Sequence, residues 1–144
     1  MRRTQYTYLV TSVTEGRLSL FQRPEYAYIL RDAIIHYRSY YALHAFVVMP
    51  DHFHALLTPA MDCSVERCAQ VIKGASGHRI GLRIWQRGFN DQRVRDESGY
   101  WNYVRYIHEN PARRGLKDWP HVSSAMDFVF DPMPGGLRGR SPLL

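Results

Sequence analysis

The chain has 144 residues and a mass of 16.9 kDa, the size of one domain with a core of its own. Its apolar fraction of 45% and aromatic fraction of 13% exclude a disordered chain. A net charge of +6, carried almost entirely by arginine, favours a polyanionic partner. Two cysteines are too few for a disulfide scaffold. Without a signal-like N-terminus or an apolar run of the roughly 18 residues that a membrane span needs, the protein is predicted to be cytoplasmic, with no membrane partner.

The first half of the sequence predicts strands on either side of a helix. Residues 5–13 are rich in β-branched and aromatic side chains and are predicted to form a strand. Pro24 opens a helix whose apolar positions follow a 3.6-residue period. Residues 42–49 and 52–58 are predicted as two further strands. Because a Met-Pro-Asp turn connects them tightly, they should pair as a hairpin.

The second half predicts two helices and one more strand. Asp62 or Ser64 is predicted to cap the first of these helices. The inner face of this helix carries Val65, Cys68, Ala69, Ile72 and Ile80. Residues 84–89 suggest a fourth strand. A last helix is predicted over residues 97–109, ending near Pro111.

The order of these elements is strand, helix, strand, strand, helix, strand, helix. This order is typical of the split βαβ arrangement. We therefore predict an α+β protein with a ferredoxin-like antiparallel sheet, helices on one face and an appended C-terminal helix. The Gly-, Pro- and Arg-rich residues 131–144 are predicted to be a flexible tail behind a domain of residues 1–130. Because this fold serves many unrelated functions, function has to be argued from particular side chains.

Two histidines are spaced to project side by side from the third predicted strand. Because side chains alternate along a strand, His52 and His54 share one face, while Phe53 lies on the other and anchors the strand in the core. Paired imidazoles are suitable ligands for a divalent metal ion. The same pattern arises by chance at this histidine content, so two packed or solvent-facing histidines are the alternative.

A tyrosine-rich segment occupies the last predicted helix. Residues four apart are neighbours on a helix, so Tyr106 and Asn110 lie close together, with Tyr103 on the same side. The opposite side, which is predicted to pack, carries Trp101, Val104 and His108. One face therefore presents tyrosine hydroxyls and an amide, although amphipathic filler is the alternative in a chain with ten tyrosines.

Together these segments resemble one known family. The sequence Val-Val-Met-Pro-Asp-His-Phe-His at 47–54 is followed by Trp-Gln-Arg at 85–87 and Tyr-Ile-His-Glu-Asn-Pro at 106–111. This combination resembles the single-tyrosine HUH transposases of the insertion-sequence-200-like superfamily. The closest branch is that of the REP-associated tyrosine transposases, in which Asn-Pro follows the tyrosine as it does here. The resemblance spans about residues 4–120, in the same element order.

The resemblance implies a function and a set of site residues. Residues 1–130 would be a HUH transposase domain that cuts and rejoins single-stranded DNA through a covalent 5′-phosphotyrosine intermediate, at hairpin-forming repeats. The family makes Tyr106 the nucleophile on a catalytic C-terminal helix. It makes His52, His54 and Asn110 the ligands of a divalent metal ion. Helix geometry already places the tyrosine beside the amide, whereas the choice among the tyrosines comes from the family alone.

The identity of the metal ion has two answers at this stage. Two imidazoles on an open site suit zinc or another first-row ion. The family implies Mg²⁺ or Mn²⁺, whose preference for oxygen fits an amide, water and phosphate, and we follow the family. The family often has asparagine where this chain has Asp51. The aspartate could contact the outer shell of the metal or shape the turn, and its position in the turn favours the second role.

Single-stranded or hairpin DNA is the predicted partner. Aromatic and arginine side chains bind exposed strands, and the candidates here are Lys73, Trp85, Gln86, Arg87, Arg93 and Arg95. Trp85 could instead pack in the core, and Lys73 could be an ordinary solvated side chain. Because the last predicted helix is short, a monomer is favoured over a homodimer.

The alternative function is a non-catalytic single-stranded nucleic-acid-binding module, as in a domesticated relative. Such a module on an RRM-like sheet predicts exposed aromatic side chains on two central strands, for which Tyr6 and Tyr8 offer a faint version. A zinc deaminase is excluded because the sequence has neither the His-x-Glu nor the Pro-Cys-x-x-Cys motif.

Overall fold

The computed structural model describes residues 6–81, 83–127 and 130–137. Its centre is a four-stranded antiparallel sheet in the order β2-β3-β1-β4. The strands are β1 (Thr7–Val13), β2 (Tyr41–Met49), β3 (His52–Pro59) and β4 (Asn90–Val94). The helices are α1 (Pro24–His36), α2 (Val65–Ile80) and α3 (Glu97–Arg113). The predicted α+β class with a split βαβ sheet is therefore confirmed.

Local sequence signals account for several of the element boundaries. Pro24 begins α1, because its fixed φ suits the first helical turn. Of the two predicted caps for α2, Ser64 is the one used: its Oγ accepts a hydrogen bond of 3.1 Å from the N–H of Arg67. β2 and β3 form the predicted hairpin, in which Met49 pairs with His52.

The two faces of the sheet are covered by different helices. Helices α1 and α2 pack on one face, where Phe53 belongs to the larger core cluster. Helix α3 packs on the other face, where Leu56 belongs to a second cluster together with Tyr100 and Ile107 of the helix. Because successive side chains of β3 point to opposite faces, the two histidines of this strand lie beneath α3. The appended helix is thus the one that covers the candidate site.

The fourth strand lies later in the chain than predicted. It is Asn90–Val94, whereas the prediction was 84–89. In the predicted segment Trp85 makes only an isolated bridge to Thr14, and both Ile84 and Trp85 are buried. The apolar pattern there reflects burial of two side chains, while the true strand is a polar edge strand paired only with β1.

Helix α3 is longer than predicted. It has 17 residues and continues past residue 109 to Arg113, with Pro111 inside it. The missing N–H of a proline would normally end the helix, but the next turn is closed by the N–H of Arg114, which donates to the carbonyl of Asn110 at 3.2 Å. The predicted short length of this helix was the argument for a monomer, and that length is wrong. No helix in the part of the chain described here is long and apolar enough to cross a membrane.

The segment after α3 covers the outer edge of β2. The N–H of Val48 donates to the carbonyl of His121 at 2.8 Å. The N–H of Leu43 donates to the carboxylate of Asp131 at 2.8 Å, and the N–H of Asp131 donates back to the carbonyl of Leu43 at 2.9 Å. Main-chain groups near both ends of this edge strand therefore have hydrogen-bond partners in the segment after α3.

This covering segment corrects the predicted domain boundary at residue 130. Met133 and Leu137 are each only 7% exposed and belong to the core cluster beneath α3. Burying these apolar side chains stabilises a segment that its Gly- and Pro-rich composition predicted to be flexible. The packed part of the chain therefore reaches residue 137, and the remainder of the predicted tail, 138–144, lies outside the described residues.

Acid should destabilise this covering segment. Burial, together with the positive charge of Arg31, lowers the pKa of His121 to about 4, and the Nδ1 atom of His121 lies 3.3 Å from Nη1 of Arg31. An unfolded histidine has a pKa of about 6.5, so below that pH the unfolded state binds a proton that the folded state excludes. The stability that neutral His121 contributes is complete above about pH 6.5. It falls as the pH decreases toward 4, by at most about 1.4 kcal/mol per pH unit.

Urea denaturation of the wild type and of His121→Gln, between about pH 7 and about pH 5, measures this effect. Glutamine cannot be protonated, so we expect the stability advantage of the wild type to shrink as the pH falls. An advantage that is independent of pH would contradict the assignment. The comparison with the variant is needed because the pKa values of His44 and His108 are lowered by burial as well.

Candidate metal and nucleophile site

His52 and His54 lie side by side on β3, one of the two inner strands of the sheet. They are 5% and 7% exposed, and their ring centroids are 4.8 Å apart at an interplanar angle of 77°. Phe53 points to the opposite face, where it is fully buried. The predicted alternation is therefore confirmed. Because β3 is paired on both sides, the backbone that carries the two imidazoles is held firmly.

Asp51 orients the ring of His52. The Oδ1 atom of Asp51 lies 2.7 Å from Nδ1 of His52. An ionised carboxylate only accepts hydrogen bonds, so Nδ1 carries the proton and donates it, which leaves the lone pair of Nε2 free. Partial burial alone would raise the pKa of Asp51, but the hydrogen bond to His52 and the charges of His52 and Arg17 lower it overall. Asp51 thus lies in the turn and also contacts His52, so both roles that the sequence left open stay compatible with its position.

Thr11 holds the ring of His54. The Oγ1 atom of Thr11, on the neighbouring strand β1, lies 2.7 Å from Nδ1 of His54. When Nδ1–H donates to this oxygen, the Nε2 atom of His54 is left as an acceptor. Burial lowers the pKa of His54 to about 3, and the positive charges of His52 and Arg114 act in the same direction. Both imidazoles are therefore neutral near pH 7, which is the form that binds metals.

Tyr106 reaches the histidine pair from α3. Its Oη atom lies 3.5 Å from Nε2 of His54, and the two ring centroids are 5.3 Å apart. The residue is 38% exposed, so α3 does not enclose it fully. The hydroxyl of Tyr103 is engaged differently, since it donates a hydrogen bond of 2.7 Å to Oε1 of Gln92. Of the two tyrosines on this face, Tyr106 is the one beside the imidazoles.

Asn110 lies one turn further along the same face of α3. It is 3% exposed, and its Oδ1 atom is buried without a hydrogen-bond partner. Tyr106, four residues before it, contacts His54. The charge of Arg114, four residues after it, lowers the pKa of both His52 and His54. The amide therefore sits between two positions of the helix that face the histidine pair.

These donors fit a divalent metal ion. Leaving a buried amide oxygen unpaired costs about 1–3 kcal/mol, which a cation at this position would offset. Two neutral imidazole nitrogens and one amide oxygen are suitable ligands, with room left for water or phosphate oxygens. In the described ranges, no group of three or more His, Cys, Asp or Glu side chains is placed to hold a metal ion. Asn110 is thus the described residue whose unpaired oxygen could join the two histidines in holding such an ion.

The side of α3 that was predicted to pack is partly solvent-exposed. Trp101 is 46% exposed, whereas Tyr100 is 3% exposed and packs on the sheet. The helix turns toward the sheet the side that carries the buried Tyr100 and Ile107, and Asn110 is buried on it as well. His108 has the packing role that was predicted for it, with Nε2 2.9 Å from Oγ of Ser123.

Lys73 contacts the loop that carries Gln86 and Arg87, which were also predicted to bind DNA. The Nζ atom of Lys73, on α2, donates to the carbonyl oxygens of Gln86, at 3.0 Å, and of Gly88. The ammonium group therefore links α2 to this loop, and the contact of Lys73 with DNA stays a prediction. The side chains of Gln86 and Arg87 are exposed in the same loop.

Trp85 lies in the core, which favours the packing role that the sequence left open for it. It is 7% exposed, and its ring centroid lies 5.6 Å from that of Phe21 and 5.5 Å from that of Phe53. Its indole N–H donates to Oγ of Ser76 at 3.0 Å. An indole enclosed in this way is unavailable for stacking on a base.

The mutation Trp85→Ala should therefore reduce the free energy of unfolding by about 3–5 kcal/mol, because it removes a buried ring and leaves a cavity. Urea denaturation measures the loss, and the milder Trp85→Phe keeps most of the ring while it removes the hydrogen bond to Ser76. The fraction of either variant that remains folded should bind single-stranded DNA like the wild type. A variant of normal stability that no longer binds DNA would contradict the core assignment.

The two arginines near β4 lie on different parts of the surface. Arg93 pairs in the sheet with Tyr8, which packs on the α1 and α2 side, and its guanidinium lies 3.5 Å from the ring centroid of Tyr6. Arg93 is thus on the opposite face from Tyr106. Arg95 is exposed in the connection to α3. These positions do not bring either arginine to the histidine pair.

Polar residues that the sequence interpretation missed line a cavity beside Tyr106. The cavity has a volume of about 320 Å³. Besides Tyr106 and His54, its walls include the amides Asn90, Gln92 and Asn102. Asn90 and Gln92 belong to β4, so the sequence could have indicated them only if the strand had been predicted at its correct position.

The chain is similar to a known class of DNA-processing proteins. A family model described as transposase IS200-like matches residues 3–110. The chain belongs to the IS200-like transposase family. This family is generally metal-dependent.

Two of the similar proteins are REP-associated tyrosine transposases. It is 32% identical to the REP-associated tyrosine transposase of Escherichia coli (strain K12) over 131 residues, which cover 85% of this chain and 79% of that protein. A solved structure of a REP-associated tyrosine transposase bound to a REP hairpin matches with a TM-score of 0.72 and 27% identity, covering 98% of this chain and 97% of the other. A crystal structure from Deinococcus radiodurans, at 22% identity and a TM-score of 0.52, shares the fold over 74% of this chain and 92% of its own.

Proposed function

We propose that this chain is a metal-dependent endonuclease and strand transferase that acts on single-stranded DNA. In this proposal Tyr106 cuts one strand, remains linked to the 5′ end through a phosphotyrosine bond, and later passes that end to a 3′-OH. The observation that carries the proposal is the position of the Tyr106 hydroxyl, 3.5 Å from Nε2 of His54 and on the same side of the sheet as His52 and Asn110.

The cutting step uses Oη of Tyr106 as the nucleophile. Oη attacks a phosphorus atom of the strand, and the Oη–P bond forms as the P–O3′ bond breaks. The phenol proton passes to solvent, and the departing oxygen takes up a proton to become a free 3′-OH. When a 3′-OH attacks the phosphotyrosine, the same changes run in reverse and a strand is rejoined. Each step exchanges one phosphate ester bond for another, so no energy source is needed.

His52, His54 and Asn110 would hold the divalent ion, Mg²⁺ or Mn²⁺. Bound there, the ion would polarise the scissile phosphate and stabilise the charge that develops on its oxygens. Asp51 orients the first histidine and Thr11 the second, so the protein holds this half of the site in place before DNA arrives. The buried amide oxygen without a partner supports the third position.

Hairpin DNA is the proposed substrate. The solved relative with a TM-score of 0.72 is bound to a REP hairpin, and a net charge of +6 on this chain favours a polyanion. Arg114 and Arg17 add positive charge near the histidine pair, since both act on the pKa of His52. In this proposal Tyr106 acts in cis with the histidines of its own chain, as a monomer.

The alternative, a binding module without chemistry, is less well supported. An RRM-like module would expose aromatic side chains on the two inner strands, which are β3 and β1 here. Every residue of β3 is buried, and α3 covers one face of the sheet while α1 and α2 cover the other. Tyr6, one of the two aromatic candidates, lies beneath the guanidinium of Arg93.

Strand cleavage of a labelled hairpin library tests the proposal. The library is incubated with the protein in Mn²⁺, Mg²⁺ or EDTA and separated on a denaturing gel. We expect a covalent protein–DNA band with either ion and none with EDTA. Tight binding of a strand without a covalent band in any of the three conditions would favour the binding module.

A further inference from the structure

The cavity beside Tyr106 is built from two rows of the sheet. In one row Asn90 of β4 pairs with Thr11 of β1, and Thr11 pairs with His54 of β3. In the next row Gln92 of β4 pairs with Leu9 of β1. Side chains in one row of an antiparallel sheet point to the same face, so these residues form a floor that extends from the histidine to the sheet edge.

Helix α3 forms the opposite wall of this cavity. Asn102, Tyr103 and Tyr106 line it from above. Tyr103 donates a hydrogen bond to Oε1 of Gln92 at 2.7 Å, which links the helix to the sheet at this side of the cavity. The hydroxyl of Tyr106 stands at the inner end, next to His54. The cavity is therefore continuous with the position where the proposed function places the scissile phosphate.

The chemistry of the lining suits a neutral polar ligand with flat apolar surfaces. No Asp, Glu, Lys or Arg is among the described residues that line the cavity, so it is not built for a second phosphate. Leu9 and the ring of Tyr103 supply apolar surface, and three amides supply donors and acceptors. Amide side chains of this kind hydrogen-bond the edges of bases, and unpaired bases offer those edges freely.

We propose that this cavity binds one unpaired nucleobase of the DNA, next to the scissile phosphate, and that Gln92 reads its edge. The proposal rests on the proposed function, because it places the strand at Tyr106. The hydrogen bond from Tyr103 fixes the amide of Gln92 with Oε1 toward the tyrosine. The NH₂ group is thereby left to donate to an acceptor atom of the base. Gln92 is thus a specificity-determining residue.

Two variants of Gln92 make the proposal testable. Gln92→Ala removes the reading group, and the exposed position on an edge strand tolerates this change without loss of the fold. Gln92→Glu keeps an oxygen that can accept from Tyr103 but replaces the donor with an acceptor. If Gln92 reads the base, Gln92→Ala should therefore lose the preference for one base, and Gln92→Glu should prefer a different base. Gln70→Ala, an exposed glutamine of α2, is the matched control.

Binding is measured apart from cleavage, in the Tyr106→Phe protein. Single strands carrying each of the four bases or an abasic site, on either side of the cleavage position, are titrated in fluorescence anisotropy. We expect a preference of about tenfold or more for one base over the abasic strand at one of the two positions. Gln92→Ala should reduce that preference to less than about twofold, Gln92→Glu should favour a different base, and Gln70→Ala should keep it.

The outcomes separate this proposal from the proposed function. Equal affinities for all five strands in the parent protein, or a base preference that survives in both Gln92 variants, would overturn base reading even if covalent cleavage is observed. A preference that depends on Gln92, together with the absence of any covalent product in metal, would support the base site and overturn the nucleophile.

Discussion

Replacing Tyr106 with phenylalanine is expected to abolish the covalent protein–DNA product, with a loss of at least about a thousandfold in cleavage rate. Phenylalanine fills the same space over the ring of His54 but has no oxygen to attack the phosphorus. The stability of the protein should change little, since the hydroxyl is partly exposed and its contact with His54 is long, at 3.5 Å. Single-turnover cleavage of a labelled strand in Mn²⁺ measures the effect.

Two further tyrosine variants make this result specific. Tyr103→Phe loses only the hydrogen bond to Gln92, so we expect a reduction of less than about tenfold. Tyr28→Phe, at an exposed position on α1, should behave like the wild type. A covalent product that persists in Tyr106→Phe and disappears in Tyr103→Phe would mean that the other tyrosine is the nucleophile.

Replacing Asn110 with alanine is expected to abolish stabilisation of the protein by metal ions. A ligand present at about 100 times its dissociation constant adds about 2.7 kcal/mol to the stability of the state that binds it. The wild type should therefore show a higher Tm in saturating Mn²⁺ than in EDTA. Asn110→Ala should show little or no difference, together with a loss of cleavage, while Asn110→Asp keeps an oxygen and should retain the shift.

Without metal, Asn110→Ala should leave the stability of the protein unchanged or raise it. The Oδ1 atom of Asn110 is buried without a partner, and removing an unsatisfied polar atom removes its desolvation penalty. In EDTA the Tm of Asn110→Ala should therefore be equal to or above that of the wild type. A variant that is much less stable in EDTA yet still shifted by Mn²⁺ would show that the amide has a structural role and is not a metal ligand.

Local periodicity was sufficient to predict much of the candidate site. The alternation of side chains on a strand placed His52 and His54 on one face, and the 3.6-residue period placed Tyr106 beside Asn110. Both relations follow from backbone geometry over a few residues, so tertiary contacts do not alter them. The resemblance to the transposases then selected one tyrosine, and the structure places that tyrosine against His54.

What could not be predicted depends on contacts between distant segments. The apolar residues at 84–89 looked like a strand, but Trp85 is drawn into the core by Phe21 and Phe53, and the polar residues after it form the edge strand. Because of that displacement, the buried Trp85 was counted among the DNA-binding candidates and Gln92 was not considered. The contact of Asp51 with the histidine was likewise invisible, since a turn composition does not show where a carboxylate points.

The two edge strands of the sheet, β2 and β4, are protected against pairing with another chain in different ways. On the β4 side the strand is short and polar, which discourages another chain from pairing with it. On the β2 side the strand is apolar and nearly all buried, and protection comes from the segment that includes His121 and Asp131. The family match ends at residue 110, before that segment begins. A chain shortened to the matched region would leave the apolar edge of β2 without these partners and open to pairing with another chain, so the described residues after α3 should protect the protein against aggregation.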